Sequence, residues 1–202
     1  MKRERIGILG GSFDPPQIGH LILAEYTCEA LDIDHILFVP VADHPVKRDE
    51  LRLPIAHRLA MLQLAICDNP KFSVSRVDID RAGPHYSADT VKLLRAQYPD
   101  AELYFVMGGD NLRDLPTWER PPELYCCCRL AVMKRADEDI RTDMHDDILP
   151  GLSSQVDIVD VPMLSVWLSS TYVVSRLRAD RSIRYLVPDN VLGYIQDNNL
   201  YR

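Results

Sequence analysis

The chain has 202 residues, 47% of them hydrophobic, and its 23 lysines and arginines against 30 aspartates and glutamates give a formal net charge of −7. This length and composition predict one globular domain over residues 1–202 and argue against a broad nucleic-acid-binding surface, which needs clustered basic residues; a small anion site stays compatible with them. The first apolar run, Ile6–Leu9, is too short for a signal-peptide core or a membrane span, so we expect a cytoplasmic protein without a membrane or nucleic-acid partner.

Short apolar runs alternate with amphipathic stretches of about a dozen residues through the first two thirds of the chain. Helices are expected where apolar residues recur at helical spacing. The third predicted helix, Ser87–Tyr98, has Ser87 or Asp89 available as an N-cap. The predicted strands are Ile6–Leu9, His35–Pro40, Phe72–Val77, Leu103–Met107 and Arg129–Met133, and the predicted helices between them are Ile18–Leu31, Pro54–Cys67 and Ser87–Tyr98.

Beyond Met133 the alternation weakens, and the acidic segment 137–147 is expected to be a solvated loop. A late short strand is predicted at Val156–Val161, and helices are predicted at Ser170–Arg178 and Asp189–Asn198. Strands that alternate with helices indicate a parallel sheet covered on both faces. The sequence therefore predicts a Rossmann-like, doubly wound α/β fold of about five strands, with a core at 1–135 and a C-terminal, phosphate-binding and helical portion at 156–202.

Two of the predicted strands end in glycine pairs, and ligands of open α/β sheets bind beyond such carboxyl ends. The first exit reads Gly10-Gly11-Ser12-Phe13 and leads to a helix that contains His20. Glycines allow backbone N–H groups to approach a phosphate, and the start of a helix favours an anion. Because this loop lacks the Lys-Ser/Thr ending of a P-loop, the glycines alone are weak evidence for a phosphate site.

The longer string from Gly10 to His20 resembles the GxFDPxHxGH signature of the nucleotidylyltransferase superfamily. Several further segments, in matching order and spacing, resemble the bacterial nicotinate-nucleotide adenylyltransferases within that superfamily, so the resemblance extends over nearly the whole chain. These segments are 72–84, 85–90, Gly109-Asp110, Pro116-Thr117-Trp118, Lys134-Arg135, 168–171 and 199–202.

The resemblance implies a nucleotidyltransferase that joins nicotinate mononucleotide to ATP and releases pyrophosphate and nicotinate adenine dinucleotide. Such a reaction needs positioning and hydrogen-bond donors more than covalent catalysis, with Mg²⁺ bound through the ATP phosphates. No protein metal ligand can be named from the sequence, although Asp14 and Asp110 are available. The implied partners are the two substrates, and the sequence does not indicate an oligomeric state.

By this resemblance His20 and Gln17 are the candidate catalytic residues, and a larger set binds ATP. Taken singly, these residues have ordinary structural roles: His20 as a surface or cap histidine, Asp110 as a turn residue and 169–171 as an N-cap. Within the family pattern, Asp110 is expected to accept hydrogen bonds from the ribose, and 169–171 to hold the β- and γ-phosphates. The candidate ATP-binding residues are Gly10, Gly11, Ser12, Phe13, His20, Gly109, Asp110, Ser169, Ser170 and Thr171.

A second set is expected to bind nicotinate mononucleotide. Trp118 follows a Pro-Thr pair in a predicted loop, where core packing explains a large aromatic poorly, and the resemblance implies that it stacks on the pyridine ring. Backbone N–H groups of Tyr86 and Ser87 are expected to meet the nicotinate carboxylate, which would favour the acid over the amide. Lys47 and Arg135, solvated charges by default, are expected near the phosphates.

Three positions depart from the family pattern. Gln17 stands where the signature has its first histidine, Val174 stands where an arginine is directed at the triphosphate, and Val46 replaces a histidine before Lys47. Arg176 faces another side of the same predicted helix and is no obvious substitute. Two alternatives therefore stay open: an adenylyltransferase for nicotinamide mononucleotide or another phosphorylated acceptor, and a catalytically impaired nucleotide-binding relative.

Overall fold

The computed structural model describes residues 2–42, 52–135, 138–161 and 168–202, and within them six strands form one parallel sheet. The strands are β1 (Arg5–Gly11), β2 (His35–Pro40), β3 (Phe72–Val74), β4 (Glu102–Gly108), β5 (Arg129–Lys134) and β6 (Val156–Asp160). The helices in the same residues are α1 (Ile18–Leu31), α2 (Ile55–Ile66), α3 (Ser87–Gln97), α4 (Gly109–Asp114), α5 (Pro121–Tyr125), α6 (Ser170–Arg178) and α7 (Asp189–Asp197).

The strand order is β3-β2-β1-β4-β5-β6, and every neighbouring pair is parallel. The predicted doubly wound α/β fold is confirmed. The strand count is six, because the late strand predicted near Val156 pairs with β5 at the edge of the sheet. Strand order reverses between β1 and β4, so the crevice for a ligand lies beyond their carboxyl ends.

Two hydrophobic cores lie on opposite faces of the sheet. Successive strand residues alternate between them: Leu37 belongs to the core beneath α3, and Phe38 to the core beneath α1 and α2. The core beneath α1 and α2 also includes Val173 and Val174 of α6 and Tyr201 at the chain end. Helices α6 and α7 therefore pack on the same sheet face as α1, which brings the start of α6 towards the start of α1.

Most predicted boundaries agree with the structure within one residue, but the expected end of the third strand and the expected cap of the third helix were wrong. The third strand ends at Val74, three residues early, and is followed by a turn. Neither Ser87 nor Asp89 caps α3; Tyr86 is the N-cap and makes no side-chain cap bond, while Asp89 pairs with Arg120.

The acidic segment after β5 is not simply a solvated loop. Its Ile140 is buried in the core beneath α3, and the carboxylate of Glu138 accepts a hydrogen bond from the Arg135 backbone at 3.0 Å. Among the residues with assigned positions, no helix is both long and apolar enough to cross a membrane.

Val174 is 1% exposed, and its side chain belongs to the core between α6 and the sheet. We expect Val174→Arg to lower the free energy of unfolding by about 3 kcal/mol or more, because a guanidinium there displaces packed side chains and loses its hydration. Urea unfolding measures the change. The control Ser175→Arg, at the exposed next position, is expected to stay within about 0.5 kcal/mol of the parent. Equal stability of the two variants would contradict the burial of position 174.

Candidate functional site

Two cavities, each of about 220 Å³, lie beyond the carboxyl end of β1 and share His20, Ser169 and Ser170 in their walls. The starts of α1 and α6 therefore face one common space. The first cavity is also lined by Gln17, Gly19, Leu23, Arg135 and Leu168, and the second by Ser12, Phe13, Asp14, Arg52 and Thr171.

The chain turns sharply as it leaves β1. Phe13 has a φ of 47° and its ring is 1% exposed, packed beneath the glycine loop. A Cβ on Gly11 would lie 3.1 Å from that ring, so a glycine allows this close approach. The ring also meets His20 edge-on, with centroids 5.0 Å apart. Phe13 thus supports both the loop and the imidazole from below, and its contact with ATP stays a prediction.

The imidazole of His20 is held in one tautomer. Its Nδ1 accepts the backbone N–H of Gln17 at 3.0 Å, so the neutral ring carries its proton on Nε2. Burial lowers the pKa of His20 to about 4, which keeps the ring uncharged at neutral pH in the free protein. Because His20 lines both cavities, it offers them a neutral N–H donor.

Gln17 is a buried link between two distant segments. It is the N-cap of α1, where its Oε1 accepts the N–H of Gly19, and its Nε2 donates to the carbonyl of Leu168 at 3.2 Å. The amide thus fastens the start of α1 to the residues before α6. Nε2 carries a second proton and Gln17 lines the first cavity, so its donation to a phosphate stays a prediction.

The start of α6 offers backbone donors more than free hydroxyls. Ser169 is the N-cap of α6, and its hydroxyl accepts the Tyr172 N–H at 3.1 Å, which is the capping role that the sequence alone predicts for this segment. The hydroxyl of Ser170 donates to the Pro15 carbonyl at 2.8 Å, and that of Thr171 accepts from Arg52. First-turn N–H groups lack intrahelical acceptors, so those of Ser170 and Thr171 are the natural phosphate donors here.

Sequence reasoning missed the contacts of Asp14. This carboxylate is 1% exposed: its Oδ1 accepts the Tyr201 hydroxyl at 2.6 Å, and its Oδ2 accepts the backbone N–H groups of Arg52 at 2.6 Å and Leu53 at 3.3 Å. Burial, and then the hydrogen bond to Asp14, raise the pKa of Tyr201. Both residues lie in segments that match the family pattern, but nothing in the sequence indicates that they touch.

Arg58 is a second missed residue. It is 1% exposed, and its guanidinium donates to the carbonyls of Ser12, Val41, Ala42 and Leu53. This one side chain thereby ties the exits of β1 and β2 together. The sequence pattern could have indicated that Arg58 is buried, because it shares the core face of α2 with Met61, Leu62 and Ala65 at helical spacing.

The exit of β4 supplies the other side of the crevice. The exposed Asp110 is the second residue of α4, and its carboxylate folds back over Gly108, where a Cβ would collide with it. Arg135 lies close by and lines the first cavity, but its guanidinium pairs with Glu138 at 3.4 Å. Gly109 is buried at the start of α4. The ribose role of Asp110 stays a prediction.

The proposed pyridine-binding residues lie outside the two cavities. Trp118 is half-buried on the core beneath α3 and meets Phe105 edge-on at 6.2 Å, so the expectation that packing explains it poorly was wrong. Tyr86 lies under the Arg120 guanidinium, which is 5.8 Å from the ring centroid. Phe105 also approaches Gly10, which places Trp118 on the β1 and β4 side of the sheet edge.

Ser87 is the first residue of α3, beside Tyr86. Lys47 and Val46 lie outside the described residues. Within the described residues no group of three or more histidine, cysteine or acidic side chains has the arrangement of a metal site.

Comparison with known proteins gives one consistent result. The family model described as cytidylyltransferase-like matches residues 8–176. The chain is 43% identical over 199 residues to "Probable nicotinate-nucleotide adenylyltransferase" of Thermomicrobium roseum, covering 98% of this chain and 92% of that relative. It is 40% identical over 202 residues to the protein of the same name from Roseiflexus sp., covering 100% of both.

A solved structure shares the fold. The nicotinic acid mononucleotide adenylyltransferase of Plasmodium falciparum, complexed with NaAD, superposes with a TM-score of 0.80 at 20% identity and covers 98% of each chain. At this identity the likeness supports the fold alone.

The environment of His20 generates a pH prediction. In the ligand-free protein we expect its imidazole to titrate near pH 4, and at higher pH with ATP bound, because the polyphosphate favours the imidazolium. Because the ordinary pKa of histidine is 6.5, the unfolded chain takes up this proton before the folded protein does as the pH falls. The free energy of unfolding therefore decreases as the pH drops from 6.5 towards 4. NMR titration, with His20→Gln to assign the signal, measures the pKa. A value of 6.5 or above in the free protein would contradict this account.

Proposed function

The chain belongs to the cytidylyltransferase-like family of nucleotidyltransferases, and its relatives include nicotinate-nucleotide adenylyltransferases. We propose that it transfers the adenylyl group of ATP to nicotinate mononucleotide. ATP is the donor, and the products are nicotinate adenine dinucleotide and pyrophosphate, a step of NAD biosynthesis. The observation that carries the proposal is the shared space between the starts of α1 and α6, which the imidazole of His20 and the first turn of α6 both line.

The reaction is an in-line displacement. An oxygen of the mononucleotide 5′-phosphate attacks the α-phosphorus of ATP, and the bond from that phosphorus to the bridging oxygen breaks as pyrophosphate leaves with the electron pair. His20 Nε2–H donates to a phosphate oxygen as charge moves towards the leaving group. Backbone N–H groups of Ser170 and Thr171 hold the leaving phosphates, and no covalent enzyme intermediate is needed.

ATP is proposed to bind as its Mg²⁺ complex, with the ion attached through phosphate oxygens. The donor set fits this arrangement, because the cavities present N–H groups to phosphates, and the carboxylate of Asp14 is already occupied by Tyr201, Arg52 and Leu53. The ion would neutralise part of the polyphosphate charge. The exposed Asp110 is a carboxylate at the β4 exit that such an ion could also approach.

The acceptor is proposed to bind on the β4 side of the crevice. Trp118 offers a ring face next to Phe105, and the start of α3 offers the N–H groups of Tyr86 and Ser87 to a carboxylate. Arg120 above Tyr86 adds positive charge to this region, although Asp89 pairs with it at 2.7 Å. Charged acceptors gain more from N–H donors than neutral amides do, which favours the acid.

We also propose that residues 1–202 form a single nucleotidyltransferase domain that works in the cytoplasm. One buried cluster runs from Leu9 to Tyr201 and so joins both ends of the chain. The described cysteines are free thiols, as expected in a reducing compartment.

The direct test is pyrophosphate release from ATP and Mg²⁺ with either nicotinate mononucleotide or nicotinamide mononucleotide. We expect turnover with the acid and a kcat/KM about tenfold lower with the amide, because a charge-assisted hydrogen bond is worth roughly twice a neutral one. Equal or faster turnover of the amide would support the alternative acceptor. ATP binding without pyrophosphate release at millimolar substrate would support the impaired nucleotide-binding protein, which Gln17 and Val174 suggested.

A matched pair of variants ties this activity to the site. His20→Ala is expected to reduce kcat by about 100-fold to 1,000-fold, the usual cost of one lost transition-state donor. His35→Ala removes a histidine that bonds Ser73 at the amino end of β2, and it should leave kcat unchanged.

Trp118 supplies a separate prediction for the acceptor. Trp118→Ala should raise KM for the mononucleotide about tenfold or more, because stacking of a base on an aromatic ring contributes roughly 1–3 kcal/mol. KM for ATP should stay within about twofold. Trp118→Phe retains a ring and is the control for packing on Phe105. Equal increases in both KM values for Trp118→Ala would show a general loss of structure instead.

A further inference from the structure

Helix α6 provides no cation to the phosphate cavities from position 174 or position 176. Val174 is 1% exposed and packs in the core. The guanidinium of Arg176 donates to the Ser182 carbonyl at 2.7 Å and to the Tyr172 hydroxyl at 3.2 Å. A triphosphate bound at the start of α6 therefore needs its positive partner from another segment.

The charges of the other basic groups are also limited. His20 is neutral in the free protein, since burial lowers its pKa to about 4. Arg135 lines the first cavity, but its guanidinium pairs with Glu138, whose side chain is only 9% exposed. Neither group brings an uncompensated positive charge to the second cavity, which lies against Thr171.

Arg52, just before α2, reaches that second cavity. Its Nη2 donates to the Thr171 hydroxyl at 3.2 Å, and its Nη1 lies 3.5 Å from the Asp14 carbonyl. The backbone N–H of Arg52 donates to the Asp14 carboxylate at 2.6 Å, which fixes the residue independently of its side chain. The guanidinium is thus anchored beside the first turn of α6.

Within the part of the chain that the structure describes, the Arg52 guanidinium keeps donors and charge available. It has five N–H groups, and the two contacts above are to neutral oxygens. In the ranges 2–42, 52–135, 138–161 and 168–202, no carboxylate forms an ion pair with it. The carboxylate oxygens of nearby Asp14 are taken by Tyr201 and by the backbone N–H groups of Arg52 and Leu53.

We propose that Arg52 binds the β- and γ-phosphates of ATP and supplies the cationic contact that α6 lacks at Val174. The inference rests on the proposed function, in which ATP is the substrate. A planar guanidinium can bond two phosphate oxygens at once, and the neighbouring N–H groups of Ser170 and Thr171 converge on the same anion. The contact with Thr171 keeps the guanidinium in place before the nucleotide arrives.

Calorimetry with ATP and with AMP, each with Mg²⁺ and without acceptor, tests this role. Arg52→Gln should raise the Kd for ATP about 10-fold to 100-fold, because one charge-assisted contact is lost. The Kd for AMP should change less than about twofold, since AMP lacks the β- and γ-phosphates. Arg176→Gln, which removes an α6 guanidinium bonded outside the cavities, is the matched control and should leave both values unchanged. An ATP affinity within twofold of the parent for Arg52→Gln would overturn the proposal.

Arg52→Lys keeps the proposal testable if the glutamine variant folds poorly. Lysine retains the charge but loses the two-pronged geometry, so ATP binding should weaken at least about threefold with AMP binding unchanged. An unchanged ratio of the two Kd values would overturn the role. Pyrophosphate release by the parent protein separates the two claims: Arg52-dependent ATP binding without turnover sinks only the proposed function, and turnover with Arg52-independent binding sinks only this inference. A parent that binds no ATP sinks both.

Discussion

The site depends on one buried carboxylate. Asp14 is almost fully removed from water, so its oxygens need hydrogen-bond donors inside the protein. They find them in the hydroxyl of Tyr201 and in the backbone N–H groups of Arg52 and Leu53. A residue in the loop after β1 thereby holds the segment before α2 and the end of the chain. Arg58 strengthens the same junction through four carbonyls, one of them in the β1 loop itself.

The proposed triphosphate site is compatible with an acidic protein. The net charge of −7 is spread over the whole chain, while the cavities beyond β1 are lined by N–H groups and by few charges. His20 is a neutral donor, and Arg135 forms an ion pair with Glu138. The Arg52 guanidinium donates a hydrogen bond to the Thr171 hydroxyl. Phosphate affinity in such a site comes from the direction of a few donors, and the total charge says little about it.

The sequence was sufficient for what depends on local pattern. Apolar periodicity placed α1, β2 and α6 correctly because a strand or helix reports its buried face in consecutive residues. The family motif likewise predicts His20 as a site residue, and the structure places it in the walls of both cavities. Asp14 and Tyr201 are 187 positions apart, and no periodicity relates them. The family motif marks position 174 only as that of an arginine, whereas the burial of Val174 depends on how α6 packs against the sheet. Trp118 packs on Phe105, which lies in a different element, so the local pattern does not predict its burial.

The central claim is that one triphosphate binds between the starts of α1 and α6, in a site whose walls are held in place by the Asp14 junction. A crystal structure with a non-hydrolysable ATP analogue tests it most directly. We expect the phosphates to lie within hydrogen-bond distance of His20 Nε2 and of the backbone N–H groups of Ser170 and Thr171, with Asp14 still bound to Tyr201. Phosphates bound elsewhere along the sheet edge, with the space between His20 and α6 filled only by water, would contradict the account.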